Sequence, residues 1–218
     1  MTFTLTSFIP HPSISQPVVI APGRCHVFVW CHQLSLDEFT ALCRDAGVVV
    51  EDDVQCAKRR IERLSSLFML HQLLGPEARL VHAPTGRPQI EGSPLHLSIS
   101  HTDGAYALSL SHEVHGIDIE HPSPRALRLR TRFLNEEERH IRLGNDWTAE
   151  DEATALWCAK EAAYKCFSSE SITHIGQVQL RQVEPEAPLT ATPEGINGPD
   201  FRITFARPFG LIIALWHP

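Results

Sequence analysis

Lysine is nearly missing from this chain. Of 19 basic residues only three are lysines, Lys58, Lys160 and Lys165, so the pair at 160 and 165 stands out against an arginine-rich background. Other absences exclude whole classes. None of the six cysteines (Cys25, Cys31, Cys43, Cys56, Cys158, Cys166) forms a Cys-x-x-Cys pair, and no Cys/His group has the spacing of a structural zinc site. The first 20 residues lack a basic stretch leading into an apolar core, so no secretory signal is read and reduced thiols in the cytoplasm are expected. Apolar runs such as Gly210–Trp216 are too short to cross a bilayer, and no membrane association is expected. Excess positive charge is lacking too. The 19 basic against 26 acidic residues leave a net charge of −7, which argues against nucleic acid as a partner. A small phosphate ligand held by a few local cations remains open. Titration of the 13 histidines could erase the negative excess at mildly acid pH.

What is present is ordinary for a compact folded protein: 218 residues, 43% hydrophobic and 21% charged, enough for one large domain or two of about 110 residues with real cores. The opening 23 residues, with Pro10, Pro12, Pro17 and Pro22, read as an extended lead-in. His26–Cys31 reads as a strand, and Ser35 with Glu38 forms a capping box that starts a short helix ending near Gly47. A long helix is expected from about Asp53 to Leu74, stopped by Gly75-Pro76 and carrying Lys58, Arg59, Arg60 and Arg63. Strands follow at Arg79–Ala83, Leu95–Ser100, Ala105–Ser111 and Gly116–Glu120, with a turn at Pro84–Pro88 and a hairpin connection at Thr102–Gly104. Helices are expected over Arg125–Leu143 and Ala149–Phe167, the second opened by Thr148 and Asp151 in a box-like pattern. The remainder reads as strands at Gln177–Val183, Phe201–Phe205 and Leu211–Trp216 around a Pro/Gly-rich loop at 184–200. Two rounds of similar elements meet near residue 115.

Three segments can carry chemistry. In Gly116-Ile-Asp-Ile-Glu120 the isoleucines share one strand face and Asp118 and Glu120 the other, with Cα atoms roughly 6.6 Å apart. Two like charges that close call for solvent, a proton or a cation, and a hard divalent ion suits them. The alternative is an amphipathic strand with a solvated acidic face. In Trp157–Lys165, Trp157, Glu161 and Lys165 lie along one helix face, which is either a functional acid–lysine pair or an ordinary surface ion pair. Ser100-His101-Thr102 ends a strand and could hydrogen-bond a phosphate. A Ser/His nucleophile pair is the rival there, but neighbours on a strand point to opposite faces and no nucleophile elbow is present.

Taken in order, Gly86-Arg87-Pro88, Ser100-His101-Thr102, Gly116–Glu120, Arg132-Phe133-Leu134 with Glu138, and Trp157–Lys165 resemble the 4′-phosphopantetheinyl transferase superfamily, in its larger, surfactin-synthetase-activating type. The resemblance covers roughly residues 58–167. It departs from the family pattern where Arg87 replaces a lysine, Thr102 replaces a serine, and Leu67 stands where some relatives carry an arginine.

The resemblance implies an α+β fold of two similar halves related by a pseudo-twofold axis, residues 1–115 and 116–218, with coenzyme A between them. It implies Mg²⁺-dependent (or Mn²⁺-dependent) transfer of 4′-phosphopantetheine from coenzyme A to a serine of an apo acyl or peptidyl carrier protein, releasing adenosine 3′,5′-bisphosphate. Asp118, Glu120 and Glu161 would hold the metal. Glu161, or a metal-ordered water, would take the serine proton, and Lys165 would stabilise the leaving phosphate. Arg87, Ser100, His101 and Lys165 would hold coenzyme A phosphates, aided by Arg59, Arg60 and Arg63. Glu138 matches a family position with either a functional or a structural role. The uninterrupted run Arg125, Arg128, Arg130 and Arg132 is either a dock for an acidic carrier or a helix salt-bridged to Glu136–Glu138. A monomer is expected, because the smaller relatives assemble as oligomers to form an interface that this length can build internally. Two rivals stay open: another Mg²⁺-dependent phosphoryl-transfer enzyme or nuclease, and a silent relative that only binds carriers or coenzyme A.

Overall fold

Strand alternation builds three apolar clusters among the described residues. The structure is a computed structural model that describes residues 18–21, 25–49, 56–167, 172–184, 187–193 and 201–218. Along β2 (Cys25–Cys31), Phe28 and Trp30 face one cluster with Phe39 and Phe68, while Val27 and Val29 face another with Ile117, Ile119, Ile213 and Leu215. The first cluster lies under α1 (Leu36–Asp45) and α2 (Ala57–Leu74). The other joins the two main sheets. A third contains Ala155, Ala159 and Ala162 of α4 (Ala149–Phe167) and Ile212, Ala214 and Trp216 of the last strand.

The first sheet is antiparallel, in the order β1 (Val18–Ala21), β2, β6 (Ala105–Ser111), β5 (His96–Thr102). A small hairpin of β3 (Leu80–His82) and β4 (Pro88–Ile90) stands beside it. The second sheet runs β7 (Gly116–Glu120), β11 (Ile212–His217), β10 (Arg202–Ala206), β9 (Leu189–Pro193), β8 (Val178–Arg181), also antiparallel. With four α-helices among the described residues against these sheets the architecture is mixed α+β.

Two contacts decide where the site falls. At Gly116 a Cβ would stand 2.0 Å from the Ala162 carbonyl oxygen, so glycine lets α4 lie directly on β7. The edge strands β5 and β7 meet without a backbone ladder. Instead, the Ile117 amide donates to Ser98 Oγ (3.0 Å) and the Ile119 amide to Ser100 Oγ (3.2 Å), which satisfies donors that an edge strand would otherwise leave open.

Several expectations hold closely. Helix α1 begins at a reciprocal Ser35–Glu38 capping box, and α4 occupies Ala149–Phe167 with Thr148 Oγ1 accepting from the Asp151 amide (3.1 Å). Others are corrected. The helix expected over Arg125–Leu143 stops early, as α3 (Pro124–Phe133), followed by a single 3₁₀ turn at Glu138–His140. Asn135 and Glu138 exchange side-chain-to-backbone hydrogen bonds (2.8 and 2.9 Å), and that local cap competes with helix continuation. The loop expected over 184–200 contains β9, whose residues pair with both β8 and β10. Most of the expected 23-residue lead-in and the start of the long helix at Asp53 lie outside the described residues.

Candidate active site

Strand alternation turns Ile117 and Ile119 into the inter-sheet core and leaves Asp118 and Glu120 on the opposite face, with Glu161 and Lys165 of α4 nearby. Asp118 is buried and Glu120 half-buried. Lys165 Nζ donates to Asp118 Oδ1 (2.7 Å), Ser100 Oγ (2.9 Å) and the Ile117 carbonyl (3.2 Å), so its three protons all have partners. Ser100 Oγ in turn donates to Asp118 Oδ1 (2.7 Å), and Thr102 Oγ1 donates to Glu120 Oε2 (2.7 Å). Asp118 Oδ2 is buried with no hydrogen-bond partner. A carboxylate oxygen in that state leaves a desolvation cost uncompensated unless something binds it.

The acids crowd one another. Burial raises the pKa of Glu161 above the ordinary carboxylate value, and the neighbouring charge of Asp118 adds to the rise. Glu120 shifts the same way for the same leading reason, offset in part by its bond from Thr102. No group of three or more Asp, Glu, His or Cys side chains among the described residues is arranged to hold a metal ion as it stands. The donor chemistry still fits a hard divalent cation, which commonly uses one or two carboxylates and completes its shell with water and phosphate.

Two clefts flank these residues. One of about 370 Å³ is lined by Arg87, His115, Glu161, Tyr164 and Lys165, with Ser98 at its wall. Within Arg87, Nη2 is buried without a hydrogen-bond partner, an unpaired donor of the kind that takes an anion. The second, about 700 Å³, is lined by Arg59, Arg63, His82 and His101. Pro88 and Ile99 border both. His101 is paired with Glu62 (3.5 Å); burial lowers its pKa, and the Glu62 charge opposes that. The expected residues therefore fall into two neighbouring groups, with Arg87, Ser100, Asp118, Glu120, Glu161 and Lys165 in one and Arg59, Arg63 and His101 in the other.

Two participants escape sequence reasoning. His115 lines the first cleft, buried, with Nδ1 donating to the Glu113 carbonyl (3.0 Å) and Nε2 facing Ser109 Oγ (2.8 Å); burial lowers its pKa and favours the neutral ring. Its place directly before Gly116 is the available signal. Glu62 has none, because its approach to His101 depends on α2 docking beside β5. Glu138 is excluded from both clefts. It forms a fully buried ion pair with Lys160 (2.7 Å) and accepts from the Leu180 amide (2.8 Å), a structural tie between α4 and β8.

The fold and these side chains define a protein with an acid–lysine cleft beside the unpaired Arg87 Nη2 donor, the equipment of phosphate-group chemistry. Residues 115–202 match the family model of the 4′-phosphopantetheinyl transferase superfamily, which places this segment of the chain in that superfamily and indicates phosphopantetheine transfer as its general chemistry. No curated protein matches the chain. The matched segment contains β7 and α4, hence Asp118, Glu120, Glu161 and Lys165; Arg87, Ser100 and His101 lie before it. None of the helices among the described residues is long and apolar enough to cross a membrane.

Proposed function

We propose that this protein transfers 4′-phosphopantetheine from coenzyme A to a serine of an apo acyl or peptidyl carrier protein, as a cytoplasmic monomer of the larger, surfactin-synthetase-activating type. Residues 1–115 would supply most coenzyme A phosphate contacts and 116–218 the acidic site, as two halves related by a pseudo-twofold axis. The observation that carries the reading is the buried Asp118 carboxylate, held on one oxygen by Lys165 and Ser100 and without a hydrogen-bond partner on the other, next to Lys165 in the cleft of Arg87 and Glu161.

The acceptor serine's oxygen forms a bond to the β-phosphorus of coenzyme A, and the bond from that phosphorus to the bridging oxygen of adenosine 3′,5′-bisphosphate breaks. Glu161, its pKa raised by burial above the ordinary carboxylate value, takes the serine proton. Lys165 exchanges one of its present partners for the leaving phosphate, where a compact ammonium acts as a point charge. Arg87, His101, Arg59 and Arg63 hold the remaining phosphates. Asp118, Glu120 and Glu161 would hold Mg²⁺ or Mn²⁺, which supplies neutralising charge to the pyrophosphate when bound.

The carrier would dock on α3. Arg125, Arg128, Arg130 and Arg132 are all exposed, and none of them is in an ion pair with another described residue. Glu138, one of the three nearby acids of the Glu136–Glu138 run, belongs to Lys160. A cleft of about 380 Å³ between α3 and α4, floored by Leu129, Phe133 and Trp157, shares Glu120 with the acidic group.

The test is the mass of an apo carrier after incubation with the protein, coenzyme A and Mg²⁺. A gain of one phosphopantetheine, lost on Asp118→Ala, is the expected result. No gain across several carriers sinks the reading, and hydrolysis of coenzyme A without a carrier would favour the phosphohydrolase alternative.

A further inference from the structure

One acid sits among the cations of the larger cleft. Glu62 lines it together with Arg59, Arg63, His82 and His101. Its side chain is 18% exposed, so solvent screens it weakly. An ionised carboxylate there opposes any phosphate that enters, unless its charge is committed to a cation. That commitment is to His101, whose Nδ1 lies 3.5 Å from Glu62 Oε1. Strand alternation makes the pair. Ser100 and Thr102 turn to β7, and His101 between them turns to the opposite face, the side of its cross-strand neighbour Tyr106 and of α2.

A carboxylate only accepts hydrogen bonds, so Nδ1 carries a proton where it faces Glu62. Nε2 is then the nitrogen left for a ligand. In the neutral ring it is an acceptor and cannot bond a phosphate oxygen; with a second proton it becomes a charge-assisted donor. The charged groups around the ring govern that second proton. Glu62 and Lys58 approach from α2, Asp118 from β7 and Lys165 from α4; burial and the lysines oppose protonation, and the two acids favour it. Tyr106 on β6 adds no charge, because burial raises its pKa. The net direction for His101 is down, so in the free protein the ring is neutral at pH 7.

We infer that Glu62 is a positioning residue for coenzyme A: it fixes His101 through Nδ1 and supports the proton that the ring takes from solvent when a phosphate meets Nε2. This rests on the reading of the chain as a coenzyme A-dependent transferase. Glu62 thus has two opposed effects on the ligand, direct repulsion of the phosphate and support of the imidazolium. The pH separates them. Once solvent has already protonated His101, only the repulsion remains.

The experiment compares wild type with Glu62→Gln, alone and combined with His101→Ala, by calorimetric titration of coenzyme A in a chelator from pH 5 to pH 8, with the His101 ring followed by NMR. Glu62→Gln should weaken coenzyme A about fivefold at pH 7.5, the difference between a charged and a neutral hydrogen bond. At pH 5 it should bind no more weakly than wild type. The His101 ring should titrate at lower pH in this variant. On the His101→Ala background the same change should leave affinity unchanged or tighten it at every pH, because repulsion is then the only effect. The phosphate's own titration is common to all variants and cancels in the ratio. Glu62→Ala supplies the same readouts if Glu62→Gln does not fold. Tighter binding by Glu62→Gln across the whole range would make Glu62 a repulsive wall, and equal binding throughout would make it a bystander. Either result overturns the inference, as does a weakening independent of pH, the mark of a purely structural loss. Wild-type protein that binds no coenzyme A at any pH would instead overturn the reading on which the inference rests.

Discussion

Helix α4 carries two lysine–carboxylate pairs of the same 2.7 Å length and with opposite surroundings. Lys160 and Glu138 have side chains 2% and 0% exposed, and Glu138 is completed by the Asn135 and Leu180 amides. Lys165 is 29% exposed, and its partner Asp118 keeps one buried oxygen without a hydrogen bond. The pairs differ in leftover capacity, not in strength of contact. A pair whose carboxylate is satisfied on both oxygens ties elements together, here α4 to the 3₁₀ turn and β8. A pair with an unsatisfied oxygen, its lysine at the wall of a cleft and beside acids pushed up in pKa, can still take a ligand.

The comparison breaks first on stability. Lys160→Met leaves the Glu138 charge buried and unpaired, and should cost about 3–5 kcal/mol in denaturant unfolding. Adding Glu138→Gln should recover part of that loss, since no isolated charge remains. Lys165→Met should cost less, about 1–3 kcal/mol, because Lys165 is partly exposed and the buried Asp118 keeps its bond from Ser100. Equal losses at both positions would erase the distinction.

Activity should divide the other way. Lys165→Met is expected to lower kcat for carrier modification by about 10²-fold while the protein stays folded by circular dichroism. A folded Lys165→Met protein with wild-type turnover would remove Lys165 from the chemistry.

The helix packed against α4 offers a smaller effect. Reversing Arg125 and Arg128 to Glu should raise the apparent KM for the carrier by about tenfold, with coenzyme A affinity unchanged. The rise should shrink at high salt, as it must for exposed charges. Unchanged carrier kinetics would return α3 to a plain solvated helix.

The smallest effect concerns the acids that crowd the open pair. The pKa of Glu161 lies above its unfolded value of 4.5, so the folded state binds more protons than the unfolded one between those two values. Ionised Glu161 therefore destabilises the fold at neutral pH, and the penalty fades as pH falls through the raised value toward 4.5. Glu161→Gln should raise Tm slightly at pH 7 and match wild type near pH 4.5. A Tm advantage that persisted at low pH would attribute the effect to packing instead of charge.

Much of this site is legible in the amino-acid sequence. The alternation of Ile117, Asp118, Ile119 and Glu120 assigns inward and outward faces on a strand, and the spacing of Trp157, Glu161 and Lys165 assigns a helix face, because both patterns are properties of the local backbone. Helix starts at Ser35 and Thr148 are legible for the same reason: a cap is made within four residues. The break after Phe133 is not, since arginines and leucines there suit a helix and the competing cap draws its worth from Glu138 being buried against Lys160 and Leu180. Strand β9 is hidden in a segment rich in turn residues, and its pairing comes from β8 and β10 on either side.

By itself, then, the sequence determined which side chains share a face, where most helices and strands lie, and that two lysines out of three fall in one acidic motif. Only the tertiary structure decided which lysine is structural and which faces the cleft. Lys160 and Lys165 are nearly alike in helical context, and what separates them is a 3₁₀-turn partner, Glu138, itself tied to β8, for one and β5 and β7 partners for the other. The same holds for Ser100, whose hydroxyl meets Asp118, the Ile119 amide and Lys165 only because β5 and β7 lie side by side in the fold. Hydrogen-bond capacity is finite, and how it is divided depends on which strands and helices meet.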